Sequence, residues 1–365
     1  MTNPRPTICL NMIVKDETAV IRRCLDSVRP IIDYWVIVDT GSSDGTQDMI
    51  RRHFADLPGE LHERPWKNFG HNRSEALELA RGKGDYSFVM DADAVLKLDP
   101  GFAMPPLTAD SYDALILYSG ILYHRKQFMR SALPWRYEGV LHEYPVCEAA
   151  VSEGFIPGLT TVMHTDGARA KDPNRFRRDA EILEAALREK PDEPRNVFYL
   201  AQSYRDAGNI SKAIETYRRR AALGGWIEEA WYSLYQIGVL QARIGTNWPE
   251  AMATLLSAWQ HTPQRAEPLF QIGMYYQHKR EFHAAHPFLA EAMRVPTPDT
   301  RRLFVETSLY DYLIKLEYAV TCYWTGRHKE AIALNDELLA SPLLPENLRQ
   351  RVIDNRKFSL DLVGR

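Results

Sequence analysis

Two carboxylates, Asp91 and Asp93, follow directly on the apolar run Phe88, Val89 and Met90 in the stretch SFVMDADAVL. A short run of this kind suits a buried strand, and side chains separated by one residue on its continuation share a face. The two acids therefore converge. Unpartnered, they would repel or take up a proton, and a cation between them is the usual resolution. Three chemistries fit the pattern. The acids end a strand in solvent, or they act as nucleophile and general acid in phosphoryl transfer, or they hold a divalent metal that carries a diphosphate.

A further acid bears on the choice. In VIVDTGSSDGT, Asp39 ends another apolar run and a flexible turn follows it. An acid so placed can accept a hydrogen bond from a nucleobase or ribose, while Gly41 and Gly45 let the backbone approach a ligand closely. Asp44 or Thr46 is also placed to cap the next helix. The phosphoryl-transfer reading weakens on order. In haloacid-dehalogenase-like phosphatases the double-Asp strand opens the domain, whereas here two strand–helix units precede it. No later acidic pair ends an apolar strand to complete such a Mg2+ site. The metal–diphosphate reading gains accordingly.

These acids need a sheet to position them. Up to about residue 165, strands (TICLNMIV, YWVIVDT, YSFVMDAD) alternate with helices (ETAVIRRCLDSVRP, GTQDMIRRHF, NRSEALELARGKG). Alternation implies βαβ units and a mainly parallel sheet, with Asp39, Asp91 and Asp93 at strand ends on one side, where open α/β sheets bind ligands. From about residue 175 only helical patterns remain, and they repeat. Small or aromatic residues recur at Ala201, Tyr204, Gly208, Ala213 and Tyr217, at Gly273, Tyr276 and Ala285, and at Ala319, Gly326 and Ala331. With the segment from Ala230 to Pro263, which carries a small insertion near Asn247 and Trp248, this makes four tetratricopeptide-like copies, closed by the polar helix PENLRQRVIDNRKF as a cap. The expected organisation is an α/β domain over 1–170, a basic linker or lid and helix over 171–192, and an all-α repeat solenoid over 193–365.

Composition agrees with two cores: the chain has 365 residues, 45% of them hydrophobic. A formal net charge of −3 argues against a dedicated nucleic-acid binder. Cys9, Cys24, Cys147 and Cys322 lack metal-ligand or redox spacing and read as reduced thiols. The first apolar run is too short to span a membrane and lacks a cleavage site, so a soluble, cytoplasmic protein is expected.

The blocks ICLNMIVKDETAVIRRCLDSV, VIVDTGSSDGT, NRSEALELARGKGDYSFVMDAD and WRYEGVLHEY, in that order over about 165 residues, resemble the nucleotide-sugar domain of family 2 glycosyltransferases, which has the GT-A fold, a Rossmann-like mixed sheet. Members with C-terminal tetratricopeptide repeats include the peptide S-glycosyltransferases that make glycosylated bacteriocins, and the architecture here is similar. The resemblance implies roles by position. Asp39 would contact the base, usually uracil, with Glu17 and the backbone near Val14 bordering the nucleoside. Asn72 and Arg73 would face the nucleotide, Arg73 as a phosphate contact. Asp91 and Asp93 form the Asp-x-Asp motif for Mn2+ or Mg2+, the second acid binding metal directly and the first reaching the sugar or ribose. His164 would join them as a metal ligand, and Lys171 and Arg175 would touch phosphate. An inverting transfer needs a base on the opposite face of the sugar. Glu143 is the first choice, ahead of His142, with Glu138 also within the segment.

The expectation is therefore a metal-dependent inverting glycosyltransferase, hexosyl or N-acetylhexosaminyl, moving sugar from a UDP-sugar to an acceptor hydroxyl or thiol. The repeats would bring a peptide or protein acceptor, or a second copy of the chain. Two alternatives stand beside it. One is a non-catalytic repeat scaffold whose first domain only binds nucleotide. The other, a nucleotidyltransferase, wants a Gly-rich basic loop after the first strand, and NMIVKDET has none.

Overall fold

The computed structural model describes residues 5–245, 247–299 and 301–363. The chain divides into two compact units, Met1–Gly208 and Asn209–Arg365. The division passes between the two helices of the first expected repeat, so the basic segment 171–192 and the helix after it lie within the first unit.

In chain order the first unit contains β1 (Ile8–Val14), α1 (Ile21–Val28), β2 (Tyr34–Asp39), α2 (Thr46–His53), β3 (Gly59–Glu63), α3 (Phe69–Ala80), β4 (Tyr86–Val89), β5 (Val95–Leu98), β6 (Ser111–Tyr118), β7 (Ile121–Arg130), β8 (Arg136–Glu138), β9 (Tyr144–Val146), β10 (Glu153–Val162), a 3-10 turn at Ala168–Lys171, α4 (Arg175–Glu189) and α5 (Pro194–Asp206). Eight strands form one sheet in the order β3-β2-β1-β4-β7-β6-β10-β5, and β8 pairs with β9 separately. The first four neighbours run parallel, β7 runs against both β4 and β6, and β5 runs against β10. The sheet is thus mixed. β1 lies between β2 and β4, so the chain winds outward in both directions from it, and the crevice beyond the β1 and β4 ends is a topological switch point.

The residues explain the layout. Six of the seven β1 residues are buried, as expected for a central strand covered on both faces. In α1 the buried residues Ile21, Cys24, Leu25 and Val28 form one apolar stripe at helical spacing. α3 starts at Asn68, whose side chain accepts a 2.8 Å hydrogen bond from the His71 amide. Phe88 of β4 stacks on Phe128 of β7 at 4.4 Å, a pair worth about 0.5–1.5 kcal/mol beyond its buried area.

The second unit is helical throughout its described residues: α6 (Ile210–Ala222), α7 (Ile227–Ile244), α8 (Trp248–His261), α9 (Glu267–His278), α10 (Phe282–Ala292), a π-helical turn at Leu309–Leu313, α11 (Ile314–Trp324), α12 (His328–Ala340) and α13 (Glu346–Val363). Small residues sit where paired helices touch. A Cβ on Gly238 would fall 2.7 Å from Leu255 Cγ, and one on Gly273 2.6 Å from Leu289 Cγ. The same glycine–leucine contact thus recurs in α7/α8 and α9/α10, as a tetratricopeptide-like repeat requires. Arg265 is fully buried and lies 3.9 Å over the Trp231 ring. It donates to Glu267 (2.9 Å) and to the carbonyl oxygens of Leu303 (3.0 Å) and Phe304 (3.3 Å), tying the irregular connection before α11 to the repeats.

Candidate active site

The loops after β1, β2 and β4 meet at the switch point. Register places Val14 beside Asp39. Thr40 donates to the Val14 carbonyl from its amide (2.9 Å) and hydroxyl (3.0 Å), so that carbonyl is already engaged by protein. The two loops are laced together: Asp16 N donates to Ser42 Oγ (2.8 Å), Ser43 N to Asp16 Oδ1 (2.7 Å) and Glu17 N to Thr46 Oγ1 (2.8 Å). Asp44 accepts from the hydroxyls and amides of Thr18 and Thr46, which outweigh its partial burial and pull its carboxyl down to about 2. Neither Asp44 nor Thr46 takes the expected cap position of α2, which Gly45 occupies in a left-handed conformation; Asp44 instead ties the first residue of α2 to the β1 loop.

Asp39 is 1% exposed. Its Oδ1 accepts from the Gly41 amide (2.9 Å), the Ser42 amide (2.8 Å) and Gln47 Nε2 (3.1 Å). Its Oδ2 is buried with no hydrogen-bond partner among the described residues. An orphan acceptor costs about 1–3 kcal/mol where it stays dry, and this oxygen keeps its accepting capacity open.

Asp91 and Asp93 have opposite surroundings. Asp91 Oδ1 accepts from Arg73 Nη2, and Oδ2 from Arg125 Nη1 at 3.2 Å. Burial alone would raise its pKa, but the two guanidiniums prevail and hold it far below the carboxylate range. Asp93 forms no ion pair or side-chain hydrogen bond with another described residue. Burial raises its pKa, and the Asp91 and Asp166 charges add to the rise. Gly167 packs against it so closely that a Cβ there would sit 3.0 Å from Asp93 Oδ2. Arg23, paired with Asp166, donates to the Asp93 carbonyl at 3.0 Å, and its charge only partly offsets the rise at the Asp93 carboxylate. Glu17 accepts from the Ala168 amide at 3.2 Å, and its carboxyl is pushed up to about 7, first by burial and then by the Asp93 and Asp44 charges.

Arg73 joins two parts of the site. Besides Asp91 it donates from Nε to Glu143 Oε1 at 2.6 Å, and its guanidinium lies 5.8 Å from the Tyr137 ring centroid. α3 reaches this loop because its second residue is a glycine: a Cβ on Gly70 would meet the Gly139 carbonyl at 2.3 Å. Ser74 Oγ also accepts from the Tyr137 amide at 2.9 Å. Burial opposes the charge on Arg73, yet Asp91 and Glu143 keep it firmly protonated.

The other expected residues are placed as follows. Asn72 is fully buried, accepts from the Lys67 amide (2.9 Å) and donates to the Pro65 carbonyl (3.1 Å); both ends of its amide hold the loop before α3. Glu138 pairs with Arg136 on the exposed β8–β9 hairpin. His142 stacks on Tyr199 at 3.8 Å, and its imidazole is pushed down to about 3, first by loss of hydration and then by the Arg169 and Arg195 charges. Among the described residues, the ligand atoms of Asp91, Asp93 and His164 do not gather as a group within 4.8 Å of one another. His164 is exposed after β10. Arg175 donates to the Ala170 carbonyl (3.1 Å) and covers the Phe176 ring, whereas Lys171 is exposed and contributes positive potential at Glu17. Arg125 and Arg23 were not singled out by the sequence; Arg125 stands in the segment that follows Ser119 and Gly120, and only the β4–β7 pairing brings it to Asp91.

A switch-point crevice lined by acids, on a mixed sheet of this order, defines a GT-A-type domain, followed by a tetratricopeptide-like helical region. Residues 9–100 match the sequence model of Glycosyl transferase family 2, so the first unit carries that domain. The chain is 25% identical over 225 residues to the SPbeta prophage-derived glycosyltransferase SunS of Bacillus subtilis, covering 58% of this chain and 52% of that protein. It thus spans about half the length of that relative. A TPR repeat-containing protein of Synechococcus elongatus is 37% identical over 92 residues, 25% of this chain and 22% of that one. Among solved structures, a thermophilic TPR protein of Thermus thermophilus aligns at 21% identity over 50% of this chain and 91% of its own, with a TM-score of 0.34. Among the described residues, no helix is long and apolar enough to cross a membrane.

Proposed function

We propose that the chain transfers a sugar, with inversion, from a UDP-sugar to a hydroxyl or thiol on a peptide or protein acceptor presented through the helical repeats. The observation that carries this reading is the contrast between the neighbouring acids: Asp91 is neutralised by two arginines, while the half-buried Asp93 has no cationic side chain on its carboxylate.

That contrast fits a divalent cation, Mn2+ or Mg2+, on Asp93. Asp91, committed to Arg73 and Arg125, is better suited to orient those guanidiniums toward sugar or diphosphate than to bind metal itself. When bound, the metal supplies positive charge to a departing nucleoside diphosphate. The remaining work falls to the chain. Asp39 Oδ2 accepts the imide N–H of uracil. Glu143 takes the acceptor proton as the acceptor oxygen or sulfur bonds to the anomeric carbon and the bond from that carbon to the diphosphate oxygen breaks. Arg73 holds Glu143 in place through the hydrogen bond from its Nε to Glu143 Oε1.

Calorimetric titration with UDP, GDP and dTDP in the presence of Mn2+ tests the donor assignment. UDP should bind tightest, and Asp39→Ala should weaken it at least tenfold, the cost of one lost hydrogen bond to a charged group. Absence of binding by any of the three would favour a repeat scaffold without donor chemistry.

A further inference from the structure

The candidate base sits beside an unusual backbone. His142, immediately before Glu143, adopts φ = +51°, a left-handed conformation that a bulky residue holds only where its surroundings over-determine it. Those surroundings come from α5, far along the chain. Arg195 donates to the His142 carbonyl from Nε (3.1 Å) and Nη2 (2.9 Å). Tyr199 stacks on the His142 ring with 8° between the planes. The Arg195 guanidinium also lies 4.8 Å over Tyr144 and 5.0 Å over Tyr199, so both neighbours of Glu143 are clamped by one helix.

The geometry points to Arg195 and Tyr199 as positioning residues that aim the Glu143 carboxylate. α3 fixes the entry to the loop through Gly70 and Ser74, and α5 fixes its exit. With both ends held, Glu143 Oε1 is delivered to Arg73. The inference rests on Glu143 as the base. It adds that α5, read from sequence as the first repeat helix, is part of the catalytic apparatus.

Hydrogen–deuterium exchange on the full-length chain tests this without needing an acceptor. Tyr199→Ala and Arg195→Ala should each speed amide exchange across 139–146 by about tenfold or more, with β1 and β4 unchanged, since each removes interactions on the order of a charge-assisted hydrogen bond or an aromatic stack. Tyr199→Phe, which keeps the stacked ring, should stay close to wild type. In Mn2+-dependent hydrolysis of UDP-glucose and UDP-N-acetylglucosamine, the two alanine variants should lower kcat and leave KM for the donor unchanged, a split that general destabilisation would not give. Unchanged exchange across 139–146 in both alanine variants overturns the proposal. If exchange rises as expected but Glu143→Gln retains full turnover, the clamp stands and the base assignment fails.

Discussion

Arg73 Nε donates to Glu143 Oε1 at 2.6 Å, joining a helix that follows β3 to a loop 70 residues later in the chain. The same guanidinium reaches Asp91, so one side chain joins the acid at the strand end to the candidate base. Breaking a buried pair by removing one partner typically costs about 3–5 kcal/mol, and Arg73→Ala should approach that value because Glu143 loses its pairing cation and Asp91 keeps only Arg125. Arg73→Lys should recover little, since an ammonium lacks the fork needed for two carboxylates. Chemical denaturation of both variants checks this; a lysine variant as stable as wild type would contradict it.

The neighbouring acids should respond oppositely to the same change. Asp91→Asn takes the counter-charge from the half-buried Arg125 and leaves the buried Arg73 with Glu143 alone, and should cost about 2–4 kcal/mol. Asp93→Asn removes a carboxylate that burial and its acidic neighbours already disfavour, so stability should be unchanged or slightly higher. Thermal melts in chelator distinguish the two, and equal losses would show that the two environments do not differ as described.

Glu17 gives a pH signature. Its carboxyl keeps its proton up to about 7 in the folded chain, above the ordinary value of 4.5. Between those values the folded state binds more protons than the unfolded state, so stability falls as pH rises through that window and is flat above it. Glu17→Gln should match wild type near pH 4.5 and exceed it by roughly 1–2 kcal/mol at pH 8, after allowance for partial exposure. Parallel stability curves would contradict the assignment.

The repeat packing is testable at Gly273. Gly273→Val would drive a side chain into Leu289 and should cost about 1–3 kcal/mol. Leu289→Ala in that background should cost less than it does alone, a coupling that a double-mutant cycle reads directly. Additive losses would mean that the two residues do not touch.

The strand-end acids were legible because an apolar run followed by Asp is a local pattern, and the repeats because small residues recur at fixed intervals. Side-chain phase was harder. Asn72 and Arg73 are adjacent on α3, about 100° apart around the axis; one turns inward to brace the loop at Lys67 and the other reaches the site. With Gly70, Asn72, Ala76, Leu77 and Ala80 buried, α3 has a mixed inner face that periodicity alone does not orient. Arg125 was hidden for a different reason: its pairing with Asp91 depends on the antiparallel neighbour of β4, which no local signal specifies. The role of α5 at His142 is likewise a contact between residues 53 apart in the chain, invisible to any motif.

The central claim is donor chemistry dependent on Asp93. The most direct measurement is release of nucleoside diphosphate from a panel of UDP-sugars by the full-length protein with Mn2+, compared among wild type, Asp93→Asn and wild type with chelator. Release is expected from one donor, lost both in chelator and in Asp93→Asn, while that variant stays folded. Undiminished release by folded Asp93→Asn would contradict it.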